Sequence, residues 1–434
     1  MKSTTIDHHV ASGLGLCNDY GRSELEQAQD TALRNLLSWS ARSPLYREFF
    51  ADHAIRRIKT VADLHRLPFT DADILRHRGQ DMLCLSQSEI ARVITLQTSG
   101  STGPAKRLWF TERDLAATRR FFRDGMLNVI EPQHRVLVVL PWQLPHSVGA
   151  LLQDALAEVG IRVTTLWPPP QGNSWLALIK EKQPHCVVGL PAHLLECAEY
   201  AAGQSVQTML LCSDYASPAL RKRIETIDIE TFLHYGSTEM GLGGGVECGC
   251  HQGCHLRESD LLVEIIDPET GQVLQDGNIG EVVITTLLRK GMPLLRYRTG
   301  DLAALDRSRC TCGGITARLQ SIKGRQNTCS LGEGRVLSSW ELDDVLFSIP
   351  GLLDYRAVLE DDNRLCFFFT GPPEKPNIAA LMKQALSQLP AITAGIAEKT
   401  LTLDLFREVS EFPANHRYKR TIIDKRKKNA THTE

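Results

Sequence analysis

"LQTSGSTGPAKRLWFTERDL" runs from Leu96 to Leu115. It places Thr98, Ser99, Gly100, Ser101, Thr102 and Gly103 in one run and follows them with Lys106. Glycines let a backbone approach a ligand closely, and hydroxyls with free N–H groups are what phosphate oxygens accept from. A flexible surface turn is the plain alternative for any isolated Ser/Gly run. The flanks narrow the choice. "ARVITL" (91–96) reads as a strand entering the loop and "RLWF" (107–110) as a strand leaving it. "TERD" then starts a helix to about Met126, with Thr111 as N-cap and Asp114 three residues on. A Walker loop needs Gly-x4-Gly-Lys-Ser/Thr and runs straight into a helix, so it does not fit. "GLGGGV" (241–246) has Val246 where a dinucleotide fingerprint needs its third glycine.

Working outward, residues 21–90 carry apolar residues at helical spacing, and "TVADLHRLP" reads as a short helix. "RVLVVLPW", "IRVTTLW", "HCVVGLP" and "TMLLCSD" are buried-type strands, separated by helical stretches such as "ALLQDALAEVG" and "SPALRKRIET". That alternation predicts an α/β sheet. After Cys248 the chain turns to β, with "LLVEIIDPETGQVL" reading as a hairpin, followed by "GEVVITTLL" and "LLRYRTGDLAAL". "KGRQNT" (323–328) reads as a linker into a small α+β segment with a basic tail.

A length of 434 residues requires more than one core. With 42% hydrophobic and 23% charged residues the composition is that of a soluble globular protein. The formal net charge of -2 argues against nucleic acid as partner. No apolar run approaches the ~18 residues of a membrane span, and the N-terminus carries no apolar leader, so cytoplasm is the default expectation and twelve cysteines suggest metal or redox chemistry rather than disulfides.

The opening loop is similar to the phosphate loop of the adenylate-forming superfamily of acyl-CoA synthetases, adenylation domains and luciferases. "HYGSTEMG" (234–241) resembles its Tyr-Gly-x-Thr-Glu motif, "RYRTGDLA" (296–303) its Tyr-x-Thr-Gly-Asp motif, and "IKGRQ" (322–326) its hinge-side Arg segment. All four stand in the family's order. The stretch from Gly253 to Asp301 resembles the phenylacetate–CoA ligase branch almost continuously. The resemblance implies a large N-terminal domain, 1–324, with mixed α/β sheets and a β-rich part at about 246–318. A small, mobile α+β C-terminal domain, 325–434, would follow a hinge.

The implied chemistry joins a carboxylate to ATP, giving an acyl-adenylate and pyrophosphate, after which coenzyme A displaces AMP. A carboxylate attacking a polyanion meets like charge, so catalysis there is electrostatic and positional. By resemblance, Ser99, Gly100, Ser101, Thr102 and Gly103 would hold the β- and γ-phosphates, with Lys106 adding a point charge. Tyr235, Gly236 and Ser237 would lie along the adenine side, and Thr238 would bond the α-phosphate. Glu239 would hold Mg2+, an exposed and positioned carboxylate after a Tyr-Gly turn. Asp301 would accept from the ribose hydroxyls, and Arg325 would reach ribose or phosphate. Ser213 and Asp214, with Tyr215, follow a strand where relatives contact adenine. A Lys near the end assists adenylation in the family; alignment on "IID" puts Tyr418 there, with Lys419 beside it as the substitute.

"ECGCHQGCH" and "CTCGG" supply Cys248, Cys250, His251, Cys254, His255, Cys310 and Cys312, two Cys/His knuckles suited to tetrahedral Zn2+. Resemblance to some ligase relatives selects Cys248, His255, Cys310 and Cys312 as a closed structural site, with Cys250 and Cys254 as alternates. Trp142 and His146 follow a strand where relatives line the acyl pocket, and the resemblance favours an aryl or arylacetic acid. The partners expected are therefore that acid, ATP and coenzyme A, with neither nucleic acid nor membrane; a homodimer is compatible with these features. Adenylation with another acceptor, or a nucleotide-binding regulatory protein without turnover, are the competing readings.

Overall fold

The computed structural model describes residues 4–52, 55–96, 104–325, 328–371, 377–409, 412 and 420–426. The chain divides into two compact units, Met1–Trp167 with Phe232–Lys323, and Pro168–Thr231 with Gly324–Glu434.

In the first unit the strands Arg92–Leu96 and Lys106–Phe110 pair antiparallel, Leu96 opposite Lys106. The residues that follow Leu96 and precede Lys106 therefore join two paired strands, whereas a Walker loop leads from a strand into a helix. Thr111 caps the helix Glu112–Met126, its side chain accepting from the Asp114 N–H while Asp114 bonds back. That helix buries Leu115, Phe121, Phe122 and Met126. The strands Arg135–Val139 and Arg162–Thr165 run parallel, joined through the helix Val148–Ala157.

The β-rich part of this unit follows a simple neighbour order: Leu261–Ile266, Ile279–Thr286, Tyr297–Asp306, Arg318–Arg325, Cys254–Leu256, Gly245–Glu247, Glu230–Tyr235. Val282, Val283 and Ile284 are buried, as are Leu261, Leu262 and Ile265 on the neighbouring strand, so this part of the sheet is covered on both faces. Two details differ from the sequence reading. The turn after Ile266 forms, but its return arm makes only a single bridge at Val273, and Ile279–Thr286 is the true partner of Leu261–Ile266. Asp267 accepts from the N–H groups of Glu269 and Thr270, so the Asp-Pro-Glu-Thr-Gly turn satisfies itself and needs no second strand. "VADLHR" is a 3-10 helix, not an α-helix, ended by the extended Leu67 before Pro68.

The second unit holds the parallel pair Cys186–Gly189 and Thr208–Leu211, both buried throughout, with helices Ser174–Lys182, Pro191–Ala201 and Pro218–Glu225. Its later part is a four-stranded sheet in the order Thr402–Glu408, Arg364–Thr370, Asp354–Leu359, Ile422–Asp424, flanked by helices Ser339–Leu346, Ile378–Leu386 and Pro390–Ala397. Arg420 binds both parts of this unit: its guanidinium grips Asp343 at 2.9 and 3.1 Å and donates to the Tyr215 carbonyl at 3.1 Å. Among the described residues no helix is long and apolar enough to cross a membrane.

Candidate active site

Lys106 is the first residue of its strand, at the point where the serine-rich connection rejoins the hairpin. Its ammonium lies 2.5 Å from Glu239 Oε1, and both side chains are buried, at 3% and 1% exposure. The exposed carboxylate expected at Glu239 is thus a buried one. Pairing supplies the reason, since a carboxylate leaves water only when a cation or hydrogen bonds replace its hydration. The Tyr297 hydroxyl donates to the same Oε1 at 3.2 Å.

Tyr235 ends the strand that leads into this turn. Its hydroxyl donates to Asp301 Oδ2 at 2.9 Å, in a buried pair. A bulge aims Asp301 there. Glu281 faces Leu302 and Val283 faces Arg298, so the residues between crowd opposite Val282. Thr299 Oγ1 donates to the Val282 carbonyl at 2.8 Å and accepts from the Asp301 N–H at 3.0 Å. Gly300 takes φ +75°, which only glycine adopts freely, and its N–H reaches Glu281 Oε1 at 3.1 Å. The Thr-Gly-Asp order is therefore the recipe for one bulge. Gly236 has an equally local cause: a Cβ there would stand 2.8 Å from the Leu242 carbonyl and 2.9 Å from Gly243 Cα.

Thr238 and Glu239 sit on a single tight turn, closed by the N–H of Met240 and of Leu242 to the Ser237 carbonyl and of Gly241 to the Thr238 carbonyl. The structure therefore assembles Lys106, Tyr235, Glu239, Tyr297 and Asp301 in the first unit. Ser99, Gly100, Ser101, Thr102, Gly103, Tyr418 and Lys419 lie outside the described residues, as does the side chain of Arg325. Ser213, at φ +70°, Asp214 and Tyr215 belong to the second unit. There Asp214 accepts from the Arg420 N–H at 3.2 Å, and the Tyr215 hydroxyl donates to Asp344 at 2.7 Å. Trp142 is exposed and His146 half-buried. Sequence reasoning misses Tyr297, although it stands inside the Tyr-x-Thr-Gly-Asp stretch that could have pointed to it.

A second cluster gathers Cys248, His255, Cys310 and Cys312, whose ligand atoms all lie within 4.8 Å of one another. Cys248 Sγ is 3.8 Å from Cys310 Sγ, and Cys312 Sγ is 3.5 Å from His255 Nε2. His255 Nδ1 is 2.9 Å from the Thr316 hydroxyl, a contact that leaves Nε2 as the donor atom facing the sulfurs. Burial holds the imidazole down to about 4, hence neutral. Burial also pushes the Cys248 and Cys312 thiols up. Burial opposes ionisation of Cys310 too, but the Cys312 N–H and the neighbouring thiols outweigh it and bring Cys310 below its ordinary value. Cys254 turns elsewhere, toward the Leu233 carbonyl, and Cys250 is not among the four. The N-terminal helix Thr5–Leu14 braces the second knuckle: Asp7 Oδ1 accepts from the Ile315 N–H at 3.1 Å and the Thr316 N–H at 3.4 Å.

Residues 51–287 match the family described as AMP-binding enzyme. The chain is 28% identical over 364 residues to the phenylacetate-coenzyme A ligase of Thermus thermophilus, with 78% of each chain covered. It is 26% identical over 304 residues to the phenylacetate-coenzyme A ligase of Escherichia coli (strain K12), covering 65% of this chain and 67% of that one. Among solved structures, 2-hydroxyisobutyryl-CoA ligase in the postadenylation state with 2-HIB-AMP superposes with a TM-score of 0.75 at 18% identity, over 95% of this chain and 92% of that one, a likeness of fold. Since the family match spans more than half of the sequence and takes in both Lys106 and the Tyr-Gly-x-Thr-Glu turn, the chain belongs to the adenylate-forming AMP-binding enzymes, with phenylacetate–CoA ligases as its relatives.

Proposed function

We propose that this protein is an AMP-forming carboxylate–coenzyme A ligase that activates an aryl or arylacetic acid. The observation that supports the reading is that Lys106 and Tyr297 meet on Glu239 and Tyr235 meets Asp301, both sets buried and within the first unit. Three motifs far apart in sequence supply a cation, a hard oxygen ligand and a ribose acceptor within one unit. Lys106 offsets phosphate charge, Thr238 donates to the α-phosphate, and Asp301, oriented by Tyr235, accepts from the ribose. Glu239, a buried carboxylate, fits Mg2+, which favours oxygen ligands from one or two carboxylates plus phosphates and water. When bound, Mg2+ supplies charge neutralisation between the phosphates and Glu239. The serine-rich loop (Ser99–Gly103), Ser213, Asp214, Arg325 and Lys419 are assigned to the same ATP by resemblance.

The three thiols and one imidazole fit Zn2+. A tetrahedral ion with ligands at about 2.3 Å (sulfur) and about 2.0–2.1 Å (nitrogen) needs S–S and S–N separations of about 3.8 and about 3.5 Å. Cys248 and Cys310 stand 3.8 Å apart and Cys312 and His255 3.5 Å apart, as such an ion requires, and all four ligand atoms lie within 4.8 Å of one another. A closed Cys3His set leaves no open position, so its role is to staple the β-rich part.

The chain passes between its compact units at Lys323–Gly324, and Gly324 takes φ +68°. The resemblance assigns a hinge there, with residues 325–434 as a small mobile domain and 1–324 as the large one, whereas the compact units group 168–231 with the C-terminal residues. A cytoplasmic location and a homodimer complete the reading.

The test is ATP–pyrophosphate exchange with a panel of carboxylic acids, followed by mass-spectrometric detection of thioester after coenzyme A is added. Exchange with an aryl acid and a thioester product are expected. Exchange without thioester assigns another acceptor, and ATP binding without exchange for any acid overturns the ligase reading in favour of a regulatory protein.

A further inference from the structure

The turn bearing Glu239 breaks at two successive left-handed residues, Gly241 at φ +77° and Leu242 at φ +69°. A helix would bond the carbonyls of Glu239, Met240 and Gly241 to its next turn; here no next turn exists. Three side chains from three separate elements take its place. Arg289 Nη1 donates to the Glu239 carbonyl at 2.9 Å, Arg257 Nη2 to the Met240 carbonyl at 2.8 Å, and Thr118 Oγ1 to the Gly241 carbonyl at 2.8 Å. The two guanidinium groups meet at one spot, since a Cβ on Gly241 would stand 3.1 Å from an Nη2 of each.

Satisfying a carbonyl needs only a neutral donor. Two buried cations side by side are an expensive way to do it, because each is desolvated and each repels the other. Arg289 is driven down to about 10 by burial first, with the neighbouring Arg257 charge adding to it and Asp114 and Glu239 opposing. Charge of that kind belongs beneath a turn that must hold a carboxylate in one direction while a polyanion and its cation arrive.

Resting on the ligase reading above, we propose that Arg289 and Arg257, with Thr118, are positioning residues. They clamp the carbonyls of residues 239–241 and so fix the direction in which Glu239 presents its carboxylate to Mg2+–ATP. Their hydrogen bonds to this turn go to its backbone carbonyls, so they act through Glu239.

The experiment measures Mg2+ activation, KM for ATP and KM for the acid in pyrophosphate exchange, on full-length wild type, Arg289→Gln, Thr118→Val and Thr118→Ser. In Arg289→Gln the Mg2+ concentration for half-activation and the KM for ATP rise at least tenfold, while the KM for the acid stays within twofold. Thr118→Val, which removes one neutral donor and keeps the shape, shifts the Mg2+ requirement about threefold, and Thr118→Ser restores it; this arm stands even if Arg289→Gln does not fold. Folded variants with an unchanged Mg2+ requirement, or with all constants worsened in parallel, overturn the clamp alone. Wild type that binds no Mg2+–ATP by calorimetry and shows no exchange overturns the nucleotide reading as well.

Discussion

Lys106 and Glu239, 133 positions apart in sequence, neutralise each other at 2.5 Å in a pocket that water barely reaches. Breaking such a pair from one side strands a charge and costs about 3–5 kcal/mol, whereas replacing both partners with neutral groups of similar shape costs far less. Glu239→Ala and Lys106→Met are therefore each expected to lower the denaturation midpoint strongly. The double variant Lys106→Met/Glu239→Gln should regain most of that stability. None of the three should catalyse pyrophosphate exchange. Recovery of exchange in the stable double variant would remove the pair from the chemistry.

The Tyr235 hydroxyl helps hold Asp301 in its aim. Tyr235→Phe removes a hydrogen bond to a charged acceptor, an interaction worth about 1.5–3 kcal/mol, while leaving the ring in place. The expected result is a KM for ATP raised roughly tenfold or more, with little change in KM for the acid. Asp301→Asn should raise the ATP KM further. Steady-state kinetics with ATP as the varied substrate decides it, and an unaltered ATP KM in Asp301→Asn would dissociate this aspartate from the ribose.

If the proposed site is right, purified protein should contain about one zinc per chain by elemental analysis, since a Cys3His set of this kind takes one closed tetrahedral ion. Cys310→Ser should lose that zinc and lower the Tm by on the order of 10 °C, because structural metal binding is folding free energy. Metal-free protein of unchanged Tm would refute the staple.

His234 is enclosed by Phe121 and Phe122, with ring centroids at 6.1 and 6.0 Å, and its Nε2 has no hydrogen-bond partner among the described residues. Burial, helped by the Arg257 charge, holds it down to about 4 from 6.5. Above pH 6.5 both folded and unfolded chains carry it neutral. Between 6.5 and 4 only the unfolded chain takes up the proton, so stability falls as pH falls. Below 4 the loss is complete, on the order of 3 kcal/mol. Denaturant titrations across this range should show that decline, and His234→Gln should flatten it.

The α/β class and the strands around the serine-rich loop were legible because buried strands and a capped helix leave period and punctuation in the chain, as at Thr111 and Asp114. The Cys and His pattern was legible because ligands must be of few types at close spacing. The burial of Glu239 was not, since the residue that makes burial tolerable stands on a different hairpin. The same holds for Arg257, Arg289 and Thr118, whose common target is a stretch of backbone and therefore has no side-chain signature. The missing return arm at Val273 has a competing cause nearby, because Ile279–Thr286 offers a longer and more apolar edge to the same partner strand.

Asp7 reaches from the first helix to the backbone of Ile315 and Thr316, and Thr316 in turn orients His255. The amino-terminal helix is thus a splint for a site to which it gives no ligand. A chain trimmed of residues 1–14 would keep all three sulfurs and the imidazole, yet an ion held there is expected to be gripped less tightly and released sooner to a chelator.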